Sequence, residues 1–358
     1  MKLRHWLGLL LLPLWIGTPA PGGTAQSPVS RYRITDLGTL GGDGSTATGL
    51  NDRGQVVGYG EIEPGTGVSH AFLWEKGRMR DLGSLGGERS YARGINRHGD
   101  VVGSAEIAPD VEHAVLWKNR KIRDLGVLPG GGYSGATGIN DRGEIVGLGD
   151  NVIANRFGYF EVTRSFIWKS GKLRMLDDLD SRPGPGEGSS YASAINNRGV
   201  VVGEAERIRG EAASPVIWLA GSTHRILPVV QREGWAYALN DVDQVVGRIV
   251  NDSDSFPEME AYVWKNGHLQ KLPSLTPELN SVALGINRRG QIVGSAVTPM
   301  DELRAVLWEG DAVTDLNELI PEDSDWILEE ATAINRSGQI VGSGRHGESS
   351  HAFLLTPR

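Results

Sequence analysis

The amino-acid sequence predicts an all-β chain folded as a closed seven-bladed β-propeller. Seven copies of one short phrase, first seen as Gly-Leu-Asn-Asp-Arg-Gly-Gln-Val-Val-Gly at residues 49–58, recur along the 358 residues. Successive copies are 45, 44, 56, 44, 47 and 48 residues apart, counted between Asn51, Asn96, Asn140, Asn196, Asn240, Asn287 and Asn335. A repeat of this length is typical of propellers and solenoids. Four strand-like segments per repeat and two complementary partial units at the ends favour the closed ring.

Each repeat is predicted to form four antiparallel strands. In order, they are represented by residues 90–96, the Val-Val-Gly run, residues 70–74 and residues 79–83. Short segments rich in β-branched and aromatic residues, bounded by Gly and Asn, indicate strands. The Asn-x-x-Gly between the first two strands predicts a type I turn in six repeats, whereas the fifth repeat has Asp243 in place of the glycine.

The partial units at the ends predict how the ring closes. Residues 32–38 read as a fourth strand without the first three, and the last repeat stops after its third strand at residues 351–355. The N-terminal strand is therefore expected to complete the C-terminal blade. Counted this way, the fourth strand has seven copies, near Leu37, Leu82, Leu125, Leu176, Leu227, Leu272 and Leu316.

Small and large side chains are distributed as a propeller requires. Every first strand has alanine four residues before the repeat asparagine, at Ala47, Ala92, Ala136, Ala192, Ala236, Ala283 and Ala331. Six third strands end in tryptophan, at Trp74, Trp117, Trp168, Trp218, Trp264 and Trp308. Blades converge near the axis and diverge outward, so the alanines are expected innermost and the tryptophans between the blades. Because these tryptophans follow the repeat, we interpret them as core rather than as a sugar-binding array.

Residues 1–25 predict a signal peptide. A polar start with Lys2 and Arg4 precedes an almost wholly apolar stretch at residues 6–16, and small residues offer cleavage sites at Ala25 or Ala20. The apolar stretch is short for a membrane span, although an uncleaved anchor is the alternative. We expect a single mature domain over residues 26–358 that is secreted or periplasmic, without stable membrane insertion.

Composition limits the classes of partner. The net charge is −8, whereas a nucleic-acid-binding surface is strongly basic. The absence of cysteine excludes a disulfide framework and a thiol nucleophile. We therefore expect no nucleic-acid partner. We also expect no cofactor and no metal, and the chain is expected to be a monomer.

The repeat motif resembles the HAF-repeat family of probable extracellular bacterial proteins. The resemblance rests on residues 36–42, residues 47–51 and the His-Ala-Phe triplets at residues 70–72 and 351–353, and it covers about residues 32–355. Repeats four to six depart from the triplet, with residues 214–216, 261–263 and 304–306 in its place. The resemblance implies a propeller-like fold and an extracellular location, and no particular reaction.

The expected binding face is the one opposite the Asn-x-x-Gly turns, where the connections are long and unequal. Function concentrates in variable loops held by a rigid frame. Near that face, five residues before the repeat asparagine, stand Tyr91, Tyr191 and Trp235, which could stack on a sugar ring or an apolar group. Closing the ends of the inter-blade packing is the alternative role for these aromatics. The other candidate ligand-binding residues are Arg93, Trp326 and Glu330 at the channel mouth and Arg156, Tyr159 and Glu161 in the longest connection, residues 150–164.

Signals for metal or catalysis are weaker. Asp252 and Asp254, with Glu258 and Glu260, resemble part of a calcium loop but lack its glycine and its full spacing. Three histidines occupy one repeat position and are expected to be structural, namely His70, His113 and His351. No serine-hydrolase elbow, zinc-protease motif or phosphate loop is present. The sequence favours a non-catalytic scaffold for a glycan or protein, with a polysaccharide lyase or glycosidase as the alternative.

Overall fold

The computed structural model describes residues 30–155, 158–176, 188–206, 212–219, 224–226, 233–251, 258–277 and 279–358. These residues form seven four-stranded antiparallel sheets arranged as the blades of a propeller. The predicted fold class and the number of blades are confirmed. The predicted signal peptide lies outside the described residues.

The first two strands of every blade form a hairpin around the repeat asparagine. The first strands of blades 1 to 7 are β2 (Ser45–Leu50), β6 (Ser90–Ile95), β10 (Ser134–Ile139), β14 (Ser190–Ile195), β18 (Gly234–Leu239), β22 (Ser281–Ile286) and β26 (Trp326–Ile334). The second strands are β3 (Val56–Glu61), β7 (Val101–Ala108), β11 (Ile145–Asn155), β15 (Val201–Ala205), β19 (Val245–Asn251), β23 (Ile292–Val297) and β27 (Ile340–His346).

The third and fourth strands form the outer half of each blade. The third strands are β4 (Ser69–Glu75), β8 (Val111–Lys118), β12 (Gly158–Lys169), β16 (Ser214–Trp218), β20 (Glu258–Lys265), β24 (Leu303–Glu309) and β28 (Ser349–Pro357). The fourth strands are β5 (Arg78–Asp81), β9 (Lys121–Asp124), β13 (Lys172–Met175), β17 (His224–Ile226), β21 (His268–Lys271), β25 (Ala312–Asp315) and, for blade 7, β1 (Tyr32–Asp36). A short 3₁₀ helix, Leu316–Leu319, follows β25.

The first strands line the axis, because each contacts the first strands of both neighbouring blades around the whole ring. The seven repeat alanines on these strands are all buried. The glycine of each Val-Val-Gly run packs just outside them. A Cβ added at Gly58 would lie 1.9 Å from the Thr46 carbonyl oxygen, so no other residue fits this close approach.

The hydrophobic core consists of layers between neighbouring blades. One layer joins Phe72 and Trp74 of blade 1 to Val341 and Leu354 of blade 7. Five repeat tryptophans are buried and Trp264 is partly buried, which confirms their interpretation as core. Burial of one such ring stabilises the fold by about 2–3 kcal/mol. The apolar side chains of each blade are therefore buried mainly against those of the neighbouring blades.

Strand β1 closes the ring as predicted. It pairs antiparallel with β28, with Ile34 opposite Leu355 and Asp36 opposite Phe353. The last blade thus contains both ends of the repeat region. Among the described residues, no helix has the length and apolarity needed to span a bilayer.

The longest predicted connection differs from expectation. Residues 150–164 were expected to form a loop, but β11 and β12 continue their pairing from Asp150 opposite Thr163 to Asn155 opposite Gly158. The ladder continues through these pairs, because two antiparallel strands in register satisfy each other's backbone amides and carbonyls. This segment is therefore a projecting hairpin, with residues 156 and 157 outside the described part.

Candidate functional site

The central channel has two differently built ends. We call the end at the Asn-x-x-Gly turns the Asn-turn rim. We call the opposite end the aromatic rim; it comprises Tyr59, Tyr91, Tyr133, Tyr191, Trp235 and Tyr237 together with Arg93, Arg248, Glu204 and Glu330. Each first strand runs between the two rims, because it begins near the aromatic rim and ends at the repeat asparagine.

A cavity of about 280 Å³ opens at the Asn-turn rim. All seven blades line it, each with its repeat asparagine and the residues on either side. The asparagine side chains form a closed ring of hydrogen bonds around it. Each Nδ2 donates to the backbone carbonyl of the asparagine in the next blade, over 3.0–3.3 Å, and Asn335 returns to Asn51. Every blade is thereby joined to the next at the axis.

These asparagines have no hydrogen-bonding capacity left for a ligand. In each one, Oδ1 accepts from the backbone amides two and four residues later, as Asn51 does from Arg53 and Gln55. The second Nδ2 proton goes to a nearby side chain, for example Gln55 Oε1 at 2.7 Å. An amide side chain makes about two bonds through each of its ends, so all are used. The Asn-turn rim therefore has a structural role, and we call its ring of asparagine hydrogen bonds the asparagine clasp.

One irregular turn in this rim is compensated by another. Val200 of blade 4 stands where other blades have a polar acceptor, so the second Nδ2 proton of Asn196 has no local partner. Asp243, which replaces the turn glycine of blade 5, accepts that proton at 2.8 Å and also receives Arg198 at 2.6 Å. Asp243 adopts the left-handed region with φ of 60°. The sequence alone gave no reason for Asp243 in place of the turn glycine. In the structure, Asp243 completes the hydrogen bonding of Asn196 in the neighbouring blade.

The aromatic rim differs from blade to blade. Five residues before the repeat asparagine stand Thr46, Tyr91, Gly135, Tyr191, Trp235, Val282 and Glu330. Their partners on the second strands extend the rim, because cross-strand pairs place their side chains on one face of the sheet. Tyr191 pairs with Glu204, and Trp235 pairs with Arg248. Blades 4 and 5 therefore each place an aromatic ring opposite a charged residue at this rim.

Arg248 is at the centre of this sector. Its guanidinium carbon lies 4.3 Å from the centre of the Trp235 ring and 5.8 Å from that of Tyr237. These are cation–π distances, which hold the guanidinium against the two rings. Its Nε is buried and has no hydrogen-bond partner in the described part of the chain. A buried donor without a partner is costly in a folded protein, so the described residues leave the hydrogen bonding of Arg248 incomplete.

The acids of this sector titrate unusually. Burial raises the pKa of Glu204 to about 7, with Arg248 opposing this shift and Glu233 and Glu206 adding to it. Burial also raises the pKa of Glu330 above its usual value. Near neutral pH, Glu204 therefore exists in both protonated and ionised forms.

Tyr237 connects the two sides of the channel. Burial raises its pKa to about 12, and the charges of Glu204 in blade 4 and Glu330 in blade 7 contribute. Tyr237 is partly buried, and the Arg248 guanidinium lies 5.8 Å from its ring centre. Its ring comes from the β-bulge of β18. At the corresponding bulge of blade 1, Thr48 instead donates to the Ala92 carbonyl of the neighbouring first strand at 2.8 Å.

A second aromatic sector lies in blades 1 to 3. Tyr59 and Tyr91 meet edge to face with centroids 5.2 Å apart, and Arg93 lies 5.8 and 5.9 Å from their ring centres. Tyr133 of blade 3 bends over Gly135, where its hydroxyl lies 3.1 Å from the position a Cβ would occupy. The sector is thus largely packed against itself, which fits the inter-blade closing role for Tyr91.

The predicted site residues fall into three groups. Tyr191, Trp235 and Glu330 belong to the aromatic rim around blades 4, 5 and 7, whereas Tyr91 and Arg93 belong to the sector of blades 1 to 3. The predicted three-residue platform is therefore divided between two sectors. Trp326 is not at the channel mouth: it is buried at the start of β26, stacked on His346 with ring centres 4.7 Å apart. The three additional residues that lengthen β26 carry Trp326 away from the channel.

The loop candidates contribute less. Glu161 is exposed on β12, opposite Val152 in the projecting hairpin. Arg156 lies outside the described residues, as do the Tyr159 side chain and the calcium-like residues Asp252 and Asp254. Glu258 and Glu260 lie in β20, and Glu260 pairs with Lys271, so these two acids are part of a strand.

The sequence-based candidates did not include five residues of this rim, namely Tyr59, Tyr133, Glu204, Arg248 and Tyr237. Glu204 and Arg248 directly follow Val-Val-Gly, where the other blades have Tyr59, Ser104, Leu148, Ser295 and Ser343. A comparison of that position across the repeats would have shown two charges among mostly uncharged residues. Tyr237 stands at the bulge, where three blades have threonine.

The histidines at the common repeat position form charge pairs between the third and fourth strands. His70 Nδ1 lies 2.8 Å from Asp81, and His113 Nδ1 lies 2.9 Å from Asp124. Blades 5 and 6 place Glu260 with Lys271 and Arg304 with Asp315 at the corresponding positions. Because blades 5 and 6 have other ion pairs at the histidine position, the expected structural role of these histidines is supported.

Comparisons with known proteins agree on the fold. No protein-family model matches the chain, and no curated protein matches it. Among solved structures, it is similar to a puromycin-hydrolysing peptidase of Mycobacterium tuberculosis, with a TM-score of 0.52 and 13% identity over 95% of this chain and 54% of that one. It is also similar to the β-propeller domain of the Trilobed protease of Pyrococcus furiosus, with a TM-score of 0.53 and 15% identity over 75% of this chain and 81% of that domain.

A third similar structure is that of a prolyl endopeptidase, with a TM-score of 0.52 and 10% identity over 90% of this chain and 51% of that one. The chain spans about half the length of the two larger peptidases. The Pyrococcus domain is described as having an open velcro topology, whereas β1 and β28 close the ring here. At such low identities, the likeness shows a shared propeller fold alone.

Proposed function

We propose that the protein is a secreted, non-catalytic scaffold that binds a glycan at the aromatic rim, in the sector of blades 4, 5 and 7. The observation that carries the proposal is the stacked Arg248, whose buried Nε has no partner beside Trp235. Sugar rings present apolar faces that pack on aromatic side chains and hydroxyls that need hydrogen-bond partners. An aromatic surface with a few convergent polar groups supplies both.

The contrast between the channel ends supports this choice of face. The Asn-turn rim opens into a cavity of about 280 Å³, yet its asparagine side chains have all their hydrogen bonds filled by the protein. The aromatic rim has Arg248 with a free donor and Glu204, which can donate or accept near neutral pH. A ligand gains the most binding free energy from polar groups whose hydrogen-bonding capacity the protein leaves unused. Secretion is part of the proposal, from the N-terminal pattern of residues 1–25. A monomeric state is part of the proposal as well.

A second candidate function is hydrolysis or elimination at the same sector. One observation favours it: a carboxyl group with a pKa of about 7 is suited to act as a general acid. Glu330 would then be the second carboxyl group, and the substrate would be a polysaccharide. The peptidase activities of the similar structures do not support a third candidate, because this chain spans about half of those proteins and shares the fold alone.

The test is retention of the purified protein on a panel of immobilised polysaccharides, with new reducing or unsaturated ends followed in parallel. The scaffold predicts retention without new ends. We expect Trp235→Ala to weaken binding about tenfold or more, since loss of a stacking ring costs at least about 1.5 kcal/mol. Val282→Ala is the matched control, because Val282 occupies the same position in blade 6 and should bind as wild type.

Suppose that the wild-type protein releases new polysaccharide ends and that a folded Glu204→Gln variant does not. This result would contradict the scaffold proposal and support the enzymatic function. Equal retention of wild type and Trp235→Ala on every polysaccharide would exclude this sector as the binding site. The folded state of each variant is checked by circular dichroism and thermal unfolding.

A further inference from the structure

Blade 7 contains a histidine cluster that the other blades lack. Asp36 of β1, His346 of β27 and His351 of β28 are the one group of three potential metal ligands found among the described residues, and their ligand atoms all lie within 4.8 Å of one another. We propose that these three side chains bind a divalent transition-metal ion, with Zn²⁺ as the best-suited ion. The site lies at the ring closure, includes no residue of the aromatic rim, and does not depend on the proposed glycan function.

The charge pairs of other blades show which part of the cluster is ordinary. His351 and Asp36 occupy the repeat position of His70 with Asp81 in blade 1. In both blades the aspartate also accepts a backbone amide two residues later, from Gly38 at 2.8 Å and Gly83 at 2.7 Å. A two-residue pair of this kind is structural. His346 is the addition that distinguishes blade 7.

The chain builds an extra length of strand that holds His346. Strand β26 has nine residues, whereas the first strands of the other six blades have six. The extension begins with Trp326, which pairs with His346 across the strands. The two rings stack with an interplanar angle of 6°, and Trp326 also packs on Phe353. A buried tryptophan therefore fixes the plane of the His346 imidazole.

Distances within the cluster suit a shared ion. His346 Nδ1 lies 3.3 Å from Asp36 Oδ2, and His351 Nδ1 lies 3.0 Å from the same oxygen. Ligands bound to one Zn²⁺ at about 2.0–2.1 Å lie about 3–3.4 Å from each other. The two nitrogen–oxygen distances already have this spacing, and all three ligand atoms lie within 4.8 Å of one another. In blades 1 and 2, one imidazole alone approaches each aspartate, at 2.8 and 2.9 Å.

The chemistry of the donor set identifies the class of ion. Two imidazoles and one carboxylate suit first-row transition metals, whereas calcium and magnesium prefer oxygen ligands. The side chains are 19–37% exposed, so an ion can reach them and keep at least one water ligand. The sequence analysis expected no metal because it compared three equivalent histidines. It did not consider His346, which stands outside the repeat pattern.

Such an ion would join β1 to β27 and β28, the strands that close the ring. A ligand that binds the folded state alone stabilises it. We therefore expect Zn²⁺ to raise the unfolding temperature of the chelator-treated protein. We also expect calorimetry to detect one bound equivalent.

The decisive comparison uses matched histidines in chelator-treated full-length protein titrated with Zn²⁺. His346→Gln and His351→Gln should each weaken Zn²⁺ binding at least about tenfold, as expected for loss of one ligand. His70→Gln removes an equivalent histidine from a pair without a third ligand, and it should bind as wild type. With Co²⁺ as the probe, wild type and His70→Gln should give a visible ligand-field spectrum that both other variants lack.

The proposal is overturned if wild type binds no Zn²⁺, or if His346→Gln and His351→Gln bind it as tightly as wild type. It is also overturned if His70→Gln weakens binding as much as they do, since that would indicate scattered surface sites. The two variants at separate positions keep the test valid if one of them does not fold.

Discussion

The two ends of the channel are made by the same seven strands, yet they follow opposite rules. At the Asn-turn rim, all seven blades have the same asparagine, and each side chain makes four hydrogen bonds within the protein. At the aromatic rim, the equivalent positions hold seven side chains of differing size and charge, and Arg248 retains an unfilled donor. Uniformity marks the end that holds the ring together, whereas the irregular end is the one we propose to bind a ligand. The predictions below test this division.

The largest effect is expected from breaking the asparagine clasp. Asn287→Ala removes the bonds to the amides of Arg289 and Gln291 and to the carbonyl of Asn335. Leaving these buried groups without partners should lower the free energy of unfolding by about 3–5 kcal/mol. Val282→Ala, at the other end of the same strand, should cost about 1 kcal/mol or less. Denaturant unfolding measures both, and equal costs would contradict the division between the rims.

A smaller effect is expected in how the free energy of unfolding depends on pH, and it differs between the two rims. The folded pKa of Glu204 is about 7, above the unfolded value of 4.5, so the stability that its protonated form contributes is present below about pH 4.5 and lost as pH rises through 7. Glu204→Gln removes this loss of stability, because glutamine stays neutral at high pH. Above pH 7 the variant should be more stable than wild type by about 2 kcal/mol, and the difference should shrink toward pH 4.5. Urea unfolding at several pH values measures it, and a constant difference would contradict it.

Glu144 at the Asn-turn rim provides the opposite case. Burial alone would raise its pKa, but hydrogen bonds from Lys169, Asn140 and Arg142 lower it to about 2. Its contribution is therefore present above pH 4.5 and lost as pH falls through 2. Glu144→Gln should be less stable than wild type at neutral pH, by about 1 kcal/mol after solvent screening. A stabilising effect at neutral pH would show that this carboxylate is unpaired.

The smallest effect concerns the compensated turn. Asp243→Gly relieves a left-handed backbone but takes the acceptor from Asn196 and the ion pair from Arg198. The net cost should be about 1 kcal/mol. Adding Val200→Gln restores the acceptor found in other blades and should recover most of that cost. A double-mutant cycle measures this coupling, and strictly additive effects would contradict it.

The repeat made most of the fold predictable. Ala47 and its six equivalents indicated the axis, and the fourth-strand character of residues 32–38 indicated the closure, because local patterns decide which strands pair. The asparagine ring was not predictable in this way. Its bonds join residues 44 to 56 positions apart, and 284 for Asn335 with Asn51, and only the curvature of the ring brings them together.

The site was predictable in part for the same reason. Residues on the first strands, such as Trp235 and Glu330, could be placed because their distance from the repeat asparagine sets their height in the channel. Arg248 and Glu204 required the cross-strand register as well. Trp326 was chosen because it stands outside the repeat tryptophans, but the longer β26 places it in a buried position against His346 and Phe353.

The pairing of β1 with β28 also bears on how the chain reaches its native state. Blades 1 to 6 can form from contiguous stretches of sequence, so their contacts have low sequence separation. In the last blade, Asp36 meets His351 across 315 positions, and loop-closure entropy opposes that encounter. Docking of β1 is thus expected to be a late, slow folding step. A circular permutant that places β1 directly after β28 would make this contact local, accelerating folding without altering the final architecture.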